Sequence, residues 1–203
     1  MNQTALKMKP ALKAMDLPNP FKLNPNETSA AFIDGPGLYW SFKNATGGDY
    51  RLDFMRLKQL IAENSDTRGI SYYTVYPPIA KGQDDTNKLR PLVDFLGFNG
   101  YRVETVDARS YETPLGTRTK GSITLPLGLD AFNAAVLGDA AGHILLFVND
   151  EDYVPLVLRL QAQNVKVTVI STRARNIVST DLLYGLDRFI DLEDIREDLI
   201  RRD

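Results

Sequence analysis

The sequence predicts an α/β fold, a doubly wound, mainly parallel sheet with helices on both faces. Three observations lead there. The run Ile144-Leu145-Leu146-Phe147-Val148 is short and continuously apolar, as a strand buried on both faces is, and it stops at Asn149-Asp150-Glu151-Asp152. A second run, Ala30-Ala31-Phe32-Ile33, stops in the same way at Asp34, ahead of the turn-like Gly35-Pro36-Gly37. Around these runs, β-rich stretches alternate with helical periodicity, and repeated βα units give a parallel sheet with right-handed crossovers.

Residues 1–28 carry Lys7, Lys9, Lys13 and Lys22 among prolines and read as an N-terminal tail or arm, with the domain spanning 29–203. The first strand is expected at 30–33. A helix follows over 49–64, with Phe54, Leu57 and Ile61 on one face. Residues 70–76 form a strand that ends at Pro77-Pro78. Asp84 or Asp85 can cap a helix running to about Leu96, with Leu89, Leu92, Val93 and Leu96 as its apolar positions. A strand is expected at 101–106. Residues 109–120, polar and containing Pro114 and Gly116, read as a long connecting loop. The remaining pattern is helix at 125–137, strand at 143–148, helix at 152–163, strands at 165–170 and 188–192, and a charged terminal helix.

At 203 residues the chain can bury a full single-domain core, and 43% hydrophobic with 25% charged residues is ordinary for a globular protein. No apolar run approaches the ~20 residues of a membrane helix. That argues against a membrane partner, and the lack of cysteine is compatible with a cytoplasmic location. The absence of cysteine removes disulfides, thiolate zinc sites and a cysteine nucleophile. A formal net charge of −2 means that any nucleic-acid binding must use a local patch. A homo-oligomeric state is compatible with all of this.

Several chemistries are excluded. The one histidine, His143, opens an apolar strand and reads as structural, which leaves no base for a Ser-His-Asp triad. No G-x-x-x-x-G-K-[ST] phosphate loop is present. Trp40 stands where a dinucleotide fingerprint would have its third glycine. What remains is carboxylate with a hard cation. Neighbouring strands lie ~4.8 Å apart, so acids at adjacent strand tips come within reach of one ion, and Mg²⁺ or Mn²⁺ is satisfied by a few oxygen ligands plus waters. Such an ion also removes the mutual repulsion that would raise one carboxyl's pKa.

The motifs also carry a family resemblance. Phe32, Asp34 and Gly37 match a strand ending F-x-D-x-x-N, with glycine for asparagine. Residues 123–130, Ile123-Thr124-Leu125-Pro126-Leu127-Gly128-Leu129-Asp130, match V-D-V-x-L-x-x-D entering a helix, with Thr124 for an aspartate. Residues 148–156 match S-G-D-x-D-F-x-P-L, with Asn149 for the glycine. Residues 186–192 match A-D-x-F-I-x-L. Over roughly 29–195 the chain resembles the NYN domains, which are PIN-like ribonucleases.

The resemblance implies a PIN-like fold and a nuclease that hydrolyses phosphodiester bonds, with single-stranded RNA as substrate and Mg²⁺ or Mn²⁺ as cofactor. It implies Asp34, Asp130 and Asp150 as metal ligands and catalytic residues, with Asp152 as an accessory. Arg118, Lys120 and Thr124 would meet the substrate phosphate. Each has a structural alternative: Asp34 as an Asx turn, Asp152 as a helix cap, Asp130 as an exposed helix position, Arg118 and Lys120 as solvated loop charges. The aromatic group Tyr39, Trp40 and Phe42 can stack on a base or pack a short helix. The three departures leave open a second function, a diverged domain that binds nucleic acid or protein without cleaving.

Overall fold

The computed structural model describes residues 21, 27–48, 50–76, 89–113, 116–137, 141–184 and 186–201. Among these, six strands form one sheet: β1 (Thr28–Asp34), β2 (Asp66–Tyr76), β3 (Arg102–Asp107), β6 (His143–Phe147), β7 (Lys166–Ser171) and β8 (Arg188–Asp191). Their order is β3-β2-β1-β6-β7-β8, and every pairing is parallel. β4 (Arg109–Thr113) and β5 (Gly116–Lys120) pair only with each other, antiparallel. The helices are α1 (Gly35–Ala45), α2 (Phe54–Asn64), α3 (Arg90–Phe98), α4 (Thr124–Val136), α5 (Val154–Gln161), α6 (Thr180–Leu183) and α7 (Leu192–Leu199).

The strand period of two divides the core. Ala31 and Ile33 of β1, with Leu145 and Phe147 of β6, face a layer built by Leu38 and Phe42 of α1, Leu57 and Ile61 of α2 and Ile195 and Leu199 of α7. Ala30 and Phe32, with Ile144 and Leu146, face Leu127 and Ala131 of α4 and Val157 and Leu160 of α5. All five residues of β6 are buried, which is why its sequence is an unbroken apolar run. The doubly wound sheet expected from the sequence is therefore the fold observed.

Three local expectations are corrected. The polar stretch 109–120 is the β4–β5 hairpin and not a loop. Its side chains are largely exposed along β4, so no burial-driven alternation marked it. The helix expected from residue 49 begins at Phe54, because the Asp53 side chain accepts hydrogen bonds from the N–H groups of Met55 and Arg56 and fixes the start there. Residues 35–37 open α1 instead of a turn, since Pro36 in the first helical turn lacks only an N–H the helix does not need. Of the expected arm, residues 1–20 and 22–26 lie outside the described residues, as do Asp84 and Asp85. Phe21 is wholly buried in the layer of α1, α2 and α7.

His143 is structural, as its setting in the sequence suggests. Its Nε2 lies 2.8 Å from Thr168 Oγ1, and Nδ1 lies 3.8 Å from a Glu27 carboxylate oxygen. Burial holds its pKa below the usual 6.5, with Lys166 and Arg188 acting in the same direction and Glu27 and Asp187 opposing. The unfolded chain therefore binds this proton more readily, and stability is lost as pH falls below about 6.5 toward the folded value. Thermal melts between pH 7.5 and 5.5 should show that loss in the native chain and a shallower slope in His143→Gln. The glutamine amide can still bond Thr168, so equal slopes would rule out His143 as the source.

Candidate acidic site at the strand ends

Strand order reverses between β1 and β6, with β2 and β3 continuing on one side and β7 and β8 on the other. In an open α/β sheet the crevice at the carboxyl ends of such a pair is where ligands sit. The register Ile33↔Phe147 brings both strands to the same edge. Asp34 is then the last residue of β1, and Asp150 lies just beyond β6.

Asp34 ends β1 in extended backbone and caps α1, with Oδ1 accepting the Gly37 N–H at 2.7 Å. Its other oxygen, Oδ2, accepts the Tyr153 hydroxyl at 2.8 Å. The residue is only 9% exposed. Burial raises its pKa above the usual carboxylate value. The hydrogen bonds from Gly37 and Tyr153 oppose that rise, and the charge of nearby Asp150 adds to it. Desolvation outweighs the two donors, so an ionised Asp34 is held at a cost to the fold.

Tyr153 is the residue that sequence reasoning missed. The motif marks it only as an aromatic, yet its hydroxyl is what reaches Asp34. Burial and the Asp34 charge keep that phenol protonated, well above its ordinary range, and Thr124 hydrogen-bonds to it. Ser122 Oγ in turn donates to Thr124 Oγ1 at 3.3 Å. A line of hydroxyls thus runs from the start of α4 to the buried carboxylate. The available signal was a tyrosine standing where the resembling motif has phenylalanine.

Asp150 is exposed and caps the short 3-10 turn Glu151–Tyr153, its Oδ1 accepting the Asp152 N–H at 3.0 Å. Asp152 is exposed and supplies that N–H; the first turn of α5 has no side-chain cap. Asp130 is half-buried and already engaged. Tyr73, the β2 neighbour of Asp34, donates its hydroxyl to Asp130 Oδ2 at 2.7 Å, and an Arg102 guanidinium nitrogen lies 3.6 Å from the same oxygen. Lys120 ends β5 and is exposed. Arg118 pairs through its backbone with Tyr111, and its side chain lies outside the described residues.

Two of the departures from the resembling motif meet in space. A Cβ added to Gly37 would lie 3.1 Å from Asn149 Oδ1, 3.1 Å from Asp34 Oδ1 and 3.0 Å from Asp34 Cγ. Where the motif carries asparagine after the first acid and glycine before the second, this chain carries Gly37 and Asn149, and the Asn149 amide borders the space that a Gly37 side chain would enter.

Among the described residues, no three acidic, histidine or cysteine side chains are gathered as a metal cage. The donors at the switch point are the carboxylates of Asp34 and Asp150 and the amide oxygen of Asn149, all oxygen. That set fits a hard cation that keeps most of its waters, since each carboxylate oxygen retains acceptor capacity beyond one hydrogen bond. It does not fit a closed, all-protein site.

The NYN domain family profile matches residues 28–193. A crystal structure of a protein of unknown function from Vibrio parahaemolyticus superposes with a TM-score of 0.63 at 22% identity, covering 88% of this chain and all of that one. At that identity the likeness speaks for the fold alone. No curated protein matches.

Two outcomes follow from the packing. With divalent ions chelated at neutral pH, Asp34→Asn should melt a few degrees above the native chain, where ~1 kcal/mol moves a domain of this size by roughly 2–4 °C. Asparagine keeps the Gly37 bond, removes the buried charge and presents an N–H donor to the Tyr153 hydroxyl in place of an acceptor; a lower melting temperature would mean that the carboxylate and its bond from Tyr153 hold the fold. Gly37→Asn should cost about 1–3 kcal/mol through crowding, and less in an Asn149→Gly background. An equal cost in both backgrounds, measured by denaturant melts, would show that the two side chains do not compete for one space.

Proposed function

Because the chain belongs to the NYN domain family, a branch of the PIN-like ribonuclease superfamily, we propose that it is a divalent-metal-dependent nuclease acting on single-stranded RNA. The observation that carries the proposal is the buried Asp34 carboxylate beside Asp150 at the switch point of the sheet, where a charge is kept at a cost to the fold. Mg²⁺ or Mn²⁺, when bound, supplies an activated water and charge stabilisation for phosphodiester hydrolysis.

Asp34 and Asp150 would hold the cation, with Asn149 contributing its amide oxygen. Tyr153 orients Asp34 by donating to one oxygen while Gly37 N–H fixes the other, so the carboxylate cannot rotate. Thr124 holds the Tyr153 hydroxyl in place and stands at the edge where a phosphate would approach. Asp152 braces the 3-10 turn through its N–H to Asp150. Asp130 enters one step removed, fixing the phenol of Tyr73 on the strand beside Asp34. Lys120 and Arg118, on the hairpin leading into α4, are the cations offered to the RNA backbone.

A second reading has its own observation. Arg102 and Tyr73 occupy Asp130, which removes it from the acid group and favours a scaffold that binds RNA or protein without cutting. A fluorescently labelled single-stranded RNA separates the two. The nuclease reading requires cleavage with Mn²⁺, none with chelator, and a rate at least ~100-fold lower in Asp150→Asn. Asp150 is exposed, so its loss leaves the core intact. RNA bound but uncut, with affinity indifferent to Asp150→Asn, would establish the binding scaffold instead.

A further inference from the structure

On the sheet face opposite Tyr153, a cavity of about 410 Å³ opens between α1, the start of α2 and β2. Five rings line it, those of Tyr39, Phe42, Tyr50, Phe54 and Tyr72, together with the cationic side chains Lys43 and Arg51. Its volume lies near the lower end of small-ligand pockets, which run from ~300 to ~1,000 Å³, so it suits one compact ligand better than a segment of protein. Phe54 stands edge-on to Tyr72 with centroids 5.8 Å apart, fixing the inner wall. At the mouth Tyr39 and Tyr50 are 57% and 54% exposed, an amount of aromatic surface that a monomer core does not require.

The cavity touches the acidic site through one residue. Gly35, next after Asp34, lines it, and a Cβ at that position would collide with the Tyr72 hydroxyl. Tyr72 therefore lies directly beneath the N-terminus of α1, close enough that the Asp34 charge, after burial, helps push its phenol up to about 12. At neutral pH the group is a hydrogen-bond donor. Lys43 Nζ sits 5.8 Å from the Tyr39 ring and 5.1 Å from the Trp40 ring, placing positive charge among the rings of α1.

Resting on the nuclease reading, we propose that this cavity is a nucleobase subsite, which stacks one base of the RNA against its tyrosines while the attached phosphate lies toward Asp34 and Asp150. Flat aromatic walls accept any base, because every base has a π-face. Cations at the rim answer the phosphates that accompany a base and would have no use for a neutral aromatic ligand. The single missing Cβ at Gly35 keeps the wall between the base cavity and the acid site thin.

Trp40, the only tryptophan, lies 5.3 Å from the Tyr39 ring and serves as a reporter. The native chain, with chelator present, should bind ribonucleoside monophosphates saturably, read by equilibrium dialysis and by a change in Trp40 fluorescence, while inorganic phosphate does not compete. Tyr50→Ala, at an exposed ring, should weaken that binding by about tenfold or more, and Phe98→Ala, 91% exposed and outside the cavity, should not. On a short RNA, Tyr50→Ala should raise KM with kcat little changed. Binding of mononucleotides without RNA cleavage would keep the subsite and sink the nuclease reading. Cleavage by a chain that binds no mononucleotide at millimolar concentration, with Tyr50→Ala indistinguishable from Phe98→Ala, would overturn the subsite and leave the nuclease.

Discussion

The burial of one carboxylate, Asp34, is the constraint to which the surrounding structure answers. It ends a strand buried in all but its first residue and caps a helix, so it cannot be moved outward without breaking either β1 or the cap of α1. Both its oxygens need donors. The Gly37 N–H provides one, at the positive end of the helix dipole, and the Tyr153 hydroxyl provides the other from across the switch point. Gly37 must then stay small, since the Asp34 side chain and Asn149 already fill the space beside it. Gly35 must stay small because Tyr72 comes up beneath it. The Gly-Pro-Gly sequence after β1 is thus a packing requirement of the acid, with proline entering where the helix tolerates it.

That constraint also changes the meaning of the motif departures. Taken one by one, Gly37 removes an amide from its motif position, Thr124 replaces a carboxylate with a hydroxyl, and Asn149 adds an amide where the motif has glycine. The Asn149 amide, in the loop after β6, borders the space beside Gly37, and the Thr124 hydroxyl reaches the acid through Tyr153. What is lost is charge: a threonine cannot supply the negative charge an aspartate would. A site with less charge holds a divalent ion less tightly and depends more on substrate phosphates to complete the coordination. Asp130, paired with Arg102 and Tyr73, pushes in the same direction.

The sequence made legible those parts of the structure whose pattern follows from burial. β1 and β6 were readable because both faces of each are covered, and Asp34 and Asp150 because apolar runs ended on them. The β4–β5 hairpin was not, since β4 is largely exposed and shows no alternation of buried and exposed residues. α1 was hidden by glycine and proline, which serve turns and helix starts equally well until the Asp34–Gly37 bond decides between them. The fate of Asp130 depends on Tyr73 and Arg102, which no local pattern connects to it. Tyr153 carried its own clue in a hydroxyl that a packing role would not need.

α1 bridges the two faces of the sheet. Its first turn holds Asp34 over the α4 side of the sheet, while its next residues, Leu38, Tyr39 and Phe42, line the cavity on the α2 side. A ligand that spans the N-terminus of this helix would meet carboxylates on one side and aromatic rings with cations on the other. Phosphate and base are chemically opposite and covalently joined, so a nucleotide has the complementary division. A substrate gripped by its base is positioned by contacts that do not share charge with the reacting group. Affinity can then come from stacking even where the acids are few, and a site stripped to two carboxylates need not supply both the binding and the chemistry.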